Sequence, residues 1–115
     1  MSVFAYPVCH QTVTVYRKEG DTVMRRVAHG CYYRFEDHLL EDVQGLRFVR
    51  KFLLIQPGDE KILPGDRVLE GVGPVVEKAQ WEQFVPACVP GLSQVAYATP
   101  WHWEGKIQHI EAGRK

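Results

Sequence analysis

Cysteine is scarce in this chain. Cys9, Cys31 and Cys88 are odd in number and far apart, which suits reduced thiols in a cytosol better than a disulfide framework. Long hydrophobic runs are missing too: the longest, such as Phe52-Leu53-Leu54-Ile55, fall far short of the ~20 residues that span a bilayer. The first residues lack the basic start and long apolar centre of a secretory signal, so a soluble, non-secreted protein without membrane contact is expected. An excess of charge of one sign is also absent. Fourteen basic residues against fourteen acidic ones give a formal net charge of zero, so no whole-chain field draws the protein onto nucleic acid or an anionic membrane. The same neutrality weakens the usual defence against self-association. At 115 residues the chain fits one domain with a modest core, with no room for a catalytic domain beside a cofactor domain.

Catalytic and ligand-binding signatures are equally thin. Cys9-His10, His29 with Cys31, Cys88, and His102 with His109 show no structural zinc spacing, and buried thiols and surface imidazoles are expected instead. Gly71-x-Gly73 lacks the third glycine and the βαβ setting of a dinucleotide site. Glu36, Asp37, Glu41 and Asp42 lie side by side, which reads as a solvated face or a surface for a basic partner rather than an acid/base pair. The expectation is a protein that is not an enzyme, with no cofactor, no metal and no small-molecule substrate.

What is present organises itself around Leu63-Pro64-Gly65-Asp66-Arg67-Val68-Leu69-Glu70-Gly71. Pro64 presets a turn, Gly65 takes the positive φ of a type II turn, and Val68 and Leu69 follow as a short buried strand. Upstream, residues 1–10 read as an N-terminal arm. Gln11 to Tyr16 alternates strictly, with Val13 and Val15 on one face and Thr12, Thr14 and Tyr16 on the other. From Thr22 to Phe35 the odd positions form a mostly apolar face too long for one flat strand, and Gly30 sits where a bulge would split it. Residues 36–45 read as a long acidic loop. Leu46 to Gln56 returns to strand character, and Val76 to Val85 is the one helix the pattern supports. Ser93 to Thr99 and Lys106 to Glu111 are the last strands, with a turn over Pro100 to Gly105 between them and a basic tail at 112–115. The sum is one all-β domain over 1–115, a small β-barrel or sandwich of about six strands with one short helix and one long loop.

Two surface features stand out. Trp101 and Trp103 lie two residues apart and read as core cover or as a protein interface, where tryptophan is enriched at hot spots. Arg25, Arg26, Arg34, Arg47, Arg50 and Lys51, with Tyr32, Tyr33 and Phe48 among them, read as a solvated outer face or as a single-strand nucleic-acid platform of the kind small barrels present.

The order of the pieces resembles the small minor capsid or head-completion proteins of long-tailed bacteriophages and prophages. The resemblance is carried by Thr12-Val13-Thr14-Val15-Tyr16, Arg25-Arg26-Val27 with His29-Gly30-Cys31-Tyr32-Tyr33, Gly65-Asp66-Arg67-Val68-Leu69-Glu70-Gly71, and His109-Ile110-Glu111-Ala112-Gly113. It implies a head-closure, or stopper-type, β-barrel subunit, repeated as a homo-oligomeric ring in the virion. The ring would join a portal or adaptor protein to a tail protein and help to retain packaged DNA, with at most passive DNA contact. Assembly in the bacterial cytoplasm follows from the same likeness. The acidic insert 36–45 departs from the family, where a shorter link is expected. It gives Arg34, Glu36, Asp37, His38, Leu39, Leu40, Glu41 and Asp42 as the candidate loop reaching into the ring lumen or across to a neighbour. Trp101 and Trp103 are the candidate interface aromatics. Two alternatives stand beside this one: a tail-completion or other minor capsid protein, and a nucleic-acid-binding module using Arg47, Arg50 and Lys51.

Overall fold

A computed structural model describes residues 10–42, 45–86 and 88–114, with the backbone alone over 36–42 and 45–50. The expected arm at 1–9 lies outside the described residues. The chain is all-β, as its alternation implies. Strands β1 (Gln11–Glu19), β2 (Thr22–Asp42), β3 (Gly45–Pro57), β4 (Arg67–Glu70), β5 (Leu92–Gln94), β6 (Tyr97–Trp103) and β7 (Lys106–Arg114) form one antiparallel sheet in the order β5-β4-β1-β2-β3-β7-β6. The sheet curls into a half-barrel.

The run from Leu92 to Trp103 reaches across the opening of that curl. Its first part pairs with β4, and its second part pairs with β7. At the crossing, Val95 N–H donates to Asp66 O at 2.8 Å, Val95 O accepts from Gly65 N–H at 2.8 Å, and Ala96 N–H donates to Gly113 O at 2.9 Å. One chain segment thus ties the two ends of the sheet together, which leaves few backbone groups exposed there.

Strict alternation in β1 lets it serve two cores. Val13 and Val15 point into the main cluster with Cys31, Tyr33, Leu54, Val68 and Ile110. Tyr16 points the other way, into a second cluster with Val76, Phe84 and Leu92. The segment after β4 covers this second face and meets its polar atoms: Thr14 Oγ1 donates to Gly71 O at 2.7 Å, and Tyr16 Oη donates to Pro74 O at 2.6 Å. The expected helix over Val76 to Val85 shortens to a 3₁₀ turn, Lys78–Gln83. Arg67 pins it, with Nη1 donating to Trp81 O and Phe84 O at 2.6 and 2.7 Å and the guanidinium 3.8 Å from the Trp81 ring centre.

The expected bulge is present and changes the parity of β2. Gln11 pairs with Cys31 but Val13 with Ala28, so β2 carries one extra residue there, and Gly30 takes φ +70°. Before the bulge, Ala28 faces the main core; after it, Cys31 and Tyr33 do. The odd-numbered apolar face of the sequence is therefore two faces. Arg25 lies opposite Tyr16 and donates to Gly73 O at 3.0 and 2.6 Å.

The central turn is as the sequence reads. Asp66 N–H donates to Leu63 O at 3.0 Å and Gly65 has φ +94°, a type II geometry. Asp66, only 2% exposed, then becomes a hub: it accepts Arg17 Nε at 2.9 Å and Nη2 at 2.8 Å and Leu63 N–H at 2.9 Å.

Three sequence-based boundaries need correction. Residues 36–42 are not loop: β2 continues to Asp42 and pairs with β3 in unbroken register from Glu36↔Lys51 to Asp42↔Gly45. Acidic side chains have low strand propensity, but pairing with a neighbouring strand overrides propensity. Val43 and Gln44 lie outside the described residues. Pro100 is strand rather than turn, and β6 runs on to Trp103. The hairpin closes over Glu104 (φ 51°) and Gly105 (φ 77°), the two positive φ values of a type I′ turn, whose twist matches its strands. Finally, Ala112, Gly113 and Arg114 belong to β7 rather than to a tail, because Leu54 and Phe52 of β3 extend the ladder to them; Lys115 lies outside the described residues.

Candidate functional site

The long hairpin is the first candidate element. β1 pairs with β2 only as far as Cys31, and β7 pairs with β3 only as far as Phe52↔Arg114. The seven pairs from Glu36↔Lys51 to Asp42↔Gly45 are thus made within a two-stranded ribbon, with no third strand among the described residues. At ~3.4 Å per residue the ribbon extends about 20 Å past the sheet. The candidate residues Glu36, Asp37, His38, Leu39, Leu40, Glu41 and Asp42 all lie on this arm; their side chains are outside the described residues. Arg47 and Arg50 are paired on the arm's other strand, opposite Leu40 and Asp37, and their side chains are likewise outside the described residues.

The arm's root carries a cleft of about 380 Å³ bordered by Arg34, Lys51, Phe52, Leu53, Tyr97, Glu111 and Arg114. Register explains the convergence: Arg34 lies opposite Leu53, Leu53 opposite Gly113, and Gly113 opposite Tyr97. Gly113 is required, since a Cβ there would meet the Phe52 carbonyl and lie 2.9 Å from Tyr97 Oη. Burial, and secondarily the Glu111 carboxylate, raise the Tyr97 pKa above the ordinary phenol value.

Alternation along β6 continues this row outward to Trp101, which lies opposite His109. The two rings stack, with centroids 5.9 Å apart and planes at 22°, and Trp101 Nε1–H donates to Glu111 Oε2 at 3.3 Å. The indole is held in place yet remains 52% exposed, and Trp103 is 56% exposed. Burial pushes the His109 imidazole below its ordinary pKa, with Glu111 acting weakly against the shift. The reading of Trp101 and Trp103 as core cover is thereby excluded: they are surface.

Among the described residues, the basic-aromatic face from Arg25 to Lys51 is divided. Arg25 and Arg26 fall on opposite faces of β2. Arg26 donates to Gln56 Oε1 at 2.7 Å and Lys61 O at 3.2 Å, and burial lowers its pKa. Tyr33 is in the core, its hydroxyl 2.9 Å from Ser93 Oγ; the Phe48 side chain lies outside the described residues. Arg34 and Lys51 border one cleft, and Arg25 and Arg26 border another with Arg17, Glu60 and Lys61. Sequence reasoning missed Tyr97, His109, Glu111 and Arg114, whose only signal was alternation in two strands whose mutual register the sequence does not state.

Among the described residues, no three His, Cys, Asp or Glu side chains are grouped to hold a metal ion, and no helix is long and apolar enough to cross a membrane. Thr12 Oγ1 lies 3.1 Å from His29 Nδ1 on an exposed surface. Cys31 is buried and Cys88 exposed. No protein family, curated protein or solved structure matches the chain.

Proposed function

We propose that this chain is a structural, non-enzymatic subunit of a tailed-phage particle, of the head-closure type, repeated as a ring between a portal or adaptor and the tail. The observation that carries the reading is the ribbon 36–51, which stands clear of the third-strand pairing that holds the rest of the sheet. A two-stranded ribbon is marginally stable by itself, and it gives a subunit a means of reaching a neighbour or a central channel. Rigid pairing in the body, by contrast, supplies the fixed wall that a ring requires. The surface aromatics Trp101 and Trp103 supply contact area suited to a protein partner, and the arm sets the acidic strand Glu36 to Asp42 against a strand carrying Arg47 and Arg50, which gives it charges of both signs to offer a neighbouring subunit.

The test is to shorten the arm, joining His38 to its partner Val49 through an Asn-Gly turn, in a phage that carries this gene. The expected result is a folded protein, by circular dichroism, in particles that lose DNA or fail to attach tails, seen by electron microscopy. Normal, DNA-filled, tailed particles carrying the shortened protein would overturn the reading.

A further inference from the structure

We infer that the cleft at the root of the arm is a nucleotide-binding site, in which Arg34, Lys51 and Arg114 hold a phosphate and Tyr97 stacks on a base. The inference does not rest on the ring reading above.

Register fixes the face on which the site lies. Tyr33, Leu54, Ala112 and Ala98 form one row across β2, β3, β7 and β6, and all four pack in or against the main core. Alternation turns the neighbouring row, Arg34, Leu53, Gly113 and Tyr97, to the other side of the sheet. Lys51 and Glu111 stand two residues from Leu53 and Gly113 and share that side. Arg114 ends β7 beside Gly113 and borders the same cleft.

Three cations from three neighbouring strands thus meet one carboxylate, Glu111, around a cleft of about 380 Å³, and that carboxylate accepts from Trp101 Nε1–H at 3.3 Å. Glu36 stands opposite Lys51 in the ladder, its side chain outside the described residues; with Glu36 counted, three cations (Arg34, Lys51, Arg114) still outnumber two carboxylates (Glu36, Glu111). Arg34 and Lys51 are diagonal neighbours on one face, a placement of like charges that works against strand pairing and that a bound anion relieves. Phosphate suits the set better than a carboxylate does, because it carries up to two charges and its oxygens accept guanidinium forks from more than one side.

The cleft is larger than a phosphate needs, and its volume lies in the range of small-molecule sites. Phe52, Leu53 and Tyr97 form the apolar part of its border. The Tyr97 ring lies over Gly113, where a Cβ would come 2.9 Å from Oη and 3.1 Å from Cε1, so backbone supports the ring. A supported ring beside a cationic cluster is the combination by which single-strand binders take a base together with its phosphate. Four residues along β6, on the same side of the strand, the Trp101 ring is held against His109 and offers a second stacking surface. A free nucleotide would use the cleft alone, whereas a single strand would continue to Trp101.

The test uses the whole chain and follows the fluorescence anisotropy of a labelled oligothymidylate, with thymidine monophosphate and inorganic phosphate as competitors. Binding is expected at low salt and should weaken as salt rises. Arg34→Gln/Arg114→Gln, at two exposed positions, should weaken it about tenfold, and Tyr97→Leu about as much. Lys106→Gln, at the opposite end of β7, should leave it unchanged, and circular dichroism checks that each variant folds. Displacement by the monophosphate at equal nucleotide concentration identifies a free nucleotide as the ligand, and a preference for the oligomer that Trp101→Ala removes identifies a strand; either result supports the site. Inorganic phosphate that competes as well as the monophosphate would overturn base recognition. Absence of binding at low salt overturns the site, as does binding that survives in the cleft variants but is lost in Arg47→Gln/Arg50→Gln.

Discussion

Removing either partner of the Arg17–Asp66 pair should unfold the barrel at much lower denaturant, and the two removals should differ in a specified order. The Asp66 side chain is 3% exposed and that of Arg17 is 21% exposed. Arg17→Met leaves a buried carboxylate whose remaining partner is the Leu63 N–H at 2.9 Å. Asp66→Asn leaves a guanidinium that still reaches water and donates to Lys61 O at 3.1 Å. Breaking a buried ion pair from one side costs about 3–5 kcal/mol, most of it from the charge left behind. The Arg17 variant should therefore lose about 4 kcal/mol, and the Asp66 variant about 2–3 kcal/mol, since its amide keeps one acceptor. With a urea m-value of about 1–3 kcal/mol per molar, the Arg17 variant's midpoint falls by roughly 2 M. Equilibrium urea unfolding followed by circular dichroism measures both. Losses below about 1 kcal/mol in each would show that solvent screens the pair as it does a surface bridge, and a larger loss for Asp66→Asn would refute the assignment of the buried member.

Gly30→Ala should cost about 1 kcal/mol or more, because φ +70° forces an L side chain into the left-handed region; an unchanged melting temperature would mean the bulge relaxes elsewhere. For His109, burial lowers the folded-state pKa from 6.5, so the unfolded chain binds the proton more readily. Its contribution is fully present above pH 6.5 and is lost as pH falls from there through the lowered folded value. His109→Gln should flatten the fall in melting temperature over that window, and an undiminished slope would assign the effect to other groups. In hydrogen exchange, the amides of 36–42 should be protected relative to an unstructured chain yet exchange by local opening well before those of the β3–β7 ladder at 52–57. Unprotected rates throughout 36–42 would restore the loop.

The residues that were easiest to read are those whose chemistry is local. Pro64 and Gly65 dictate a turn without help from any distant partner, and the alternation Val13, Val15 against Thr14, Tyr16 states two faces before either core is known. Gly30 is nearly as legible, because only a residue free of a Cβ takes φ +70° at no cost. What stays hidden is register. The acidic run Glu36 to Asp42 carries no apolar period that marks a strand. Its strand character comes from backbone pairing with residues 45–51, a relation between two segments rather than a property of either.

The candidate surface is hidden for the same reason. Trp101 is conspicuous in the sequence, but only its placement opposite His109, and the Glu111 carboxylate on the neighbouring strand, turn an exposed ring into a fixed one. Arg34, Lys51 and Arg114 come from three strands far apart in the chain and share one cleft because Gly113 lets β7 lie close beneath the Tyr97 ring. Arg25, Arg26 and Tyr33, read from sequence as neighbours of those cations, are drawn instead into the body's own hydrogen bonding and core. Arg25, Arg26 and Arg67 hold the body's own loops, whereas Arg34, Lys51 and Arg114 border the cleft at the arm's root. The arm and that cleft both begin where the third-strand pairing of β2 and β3 ends.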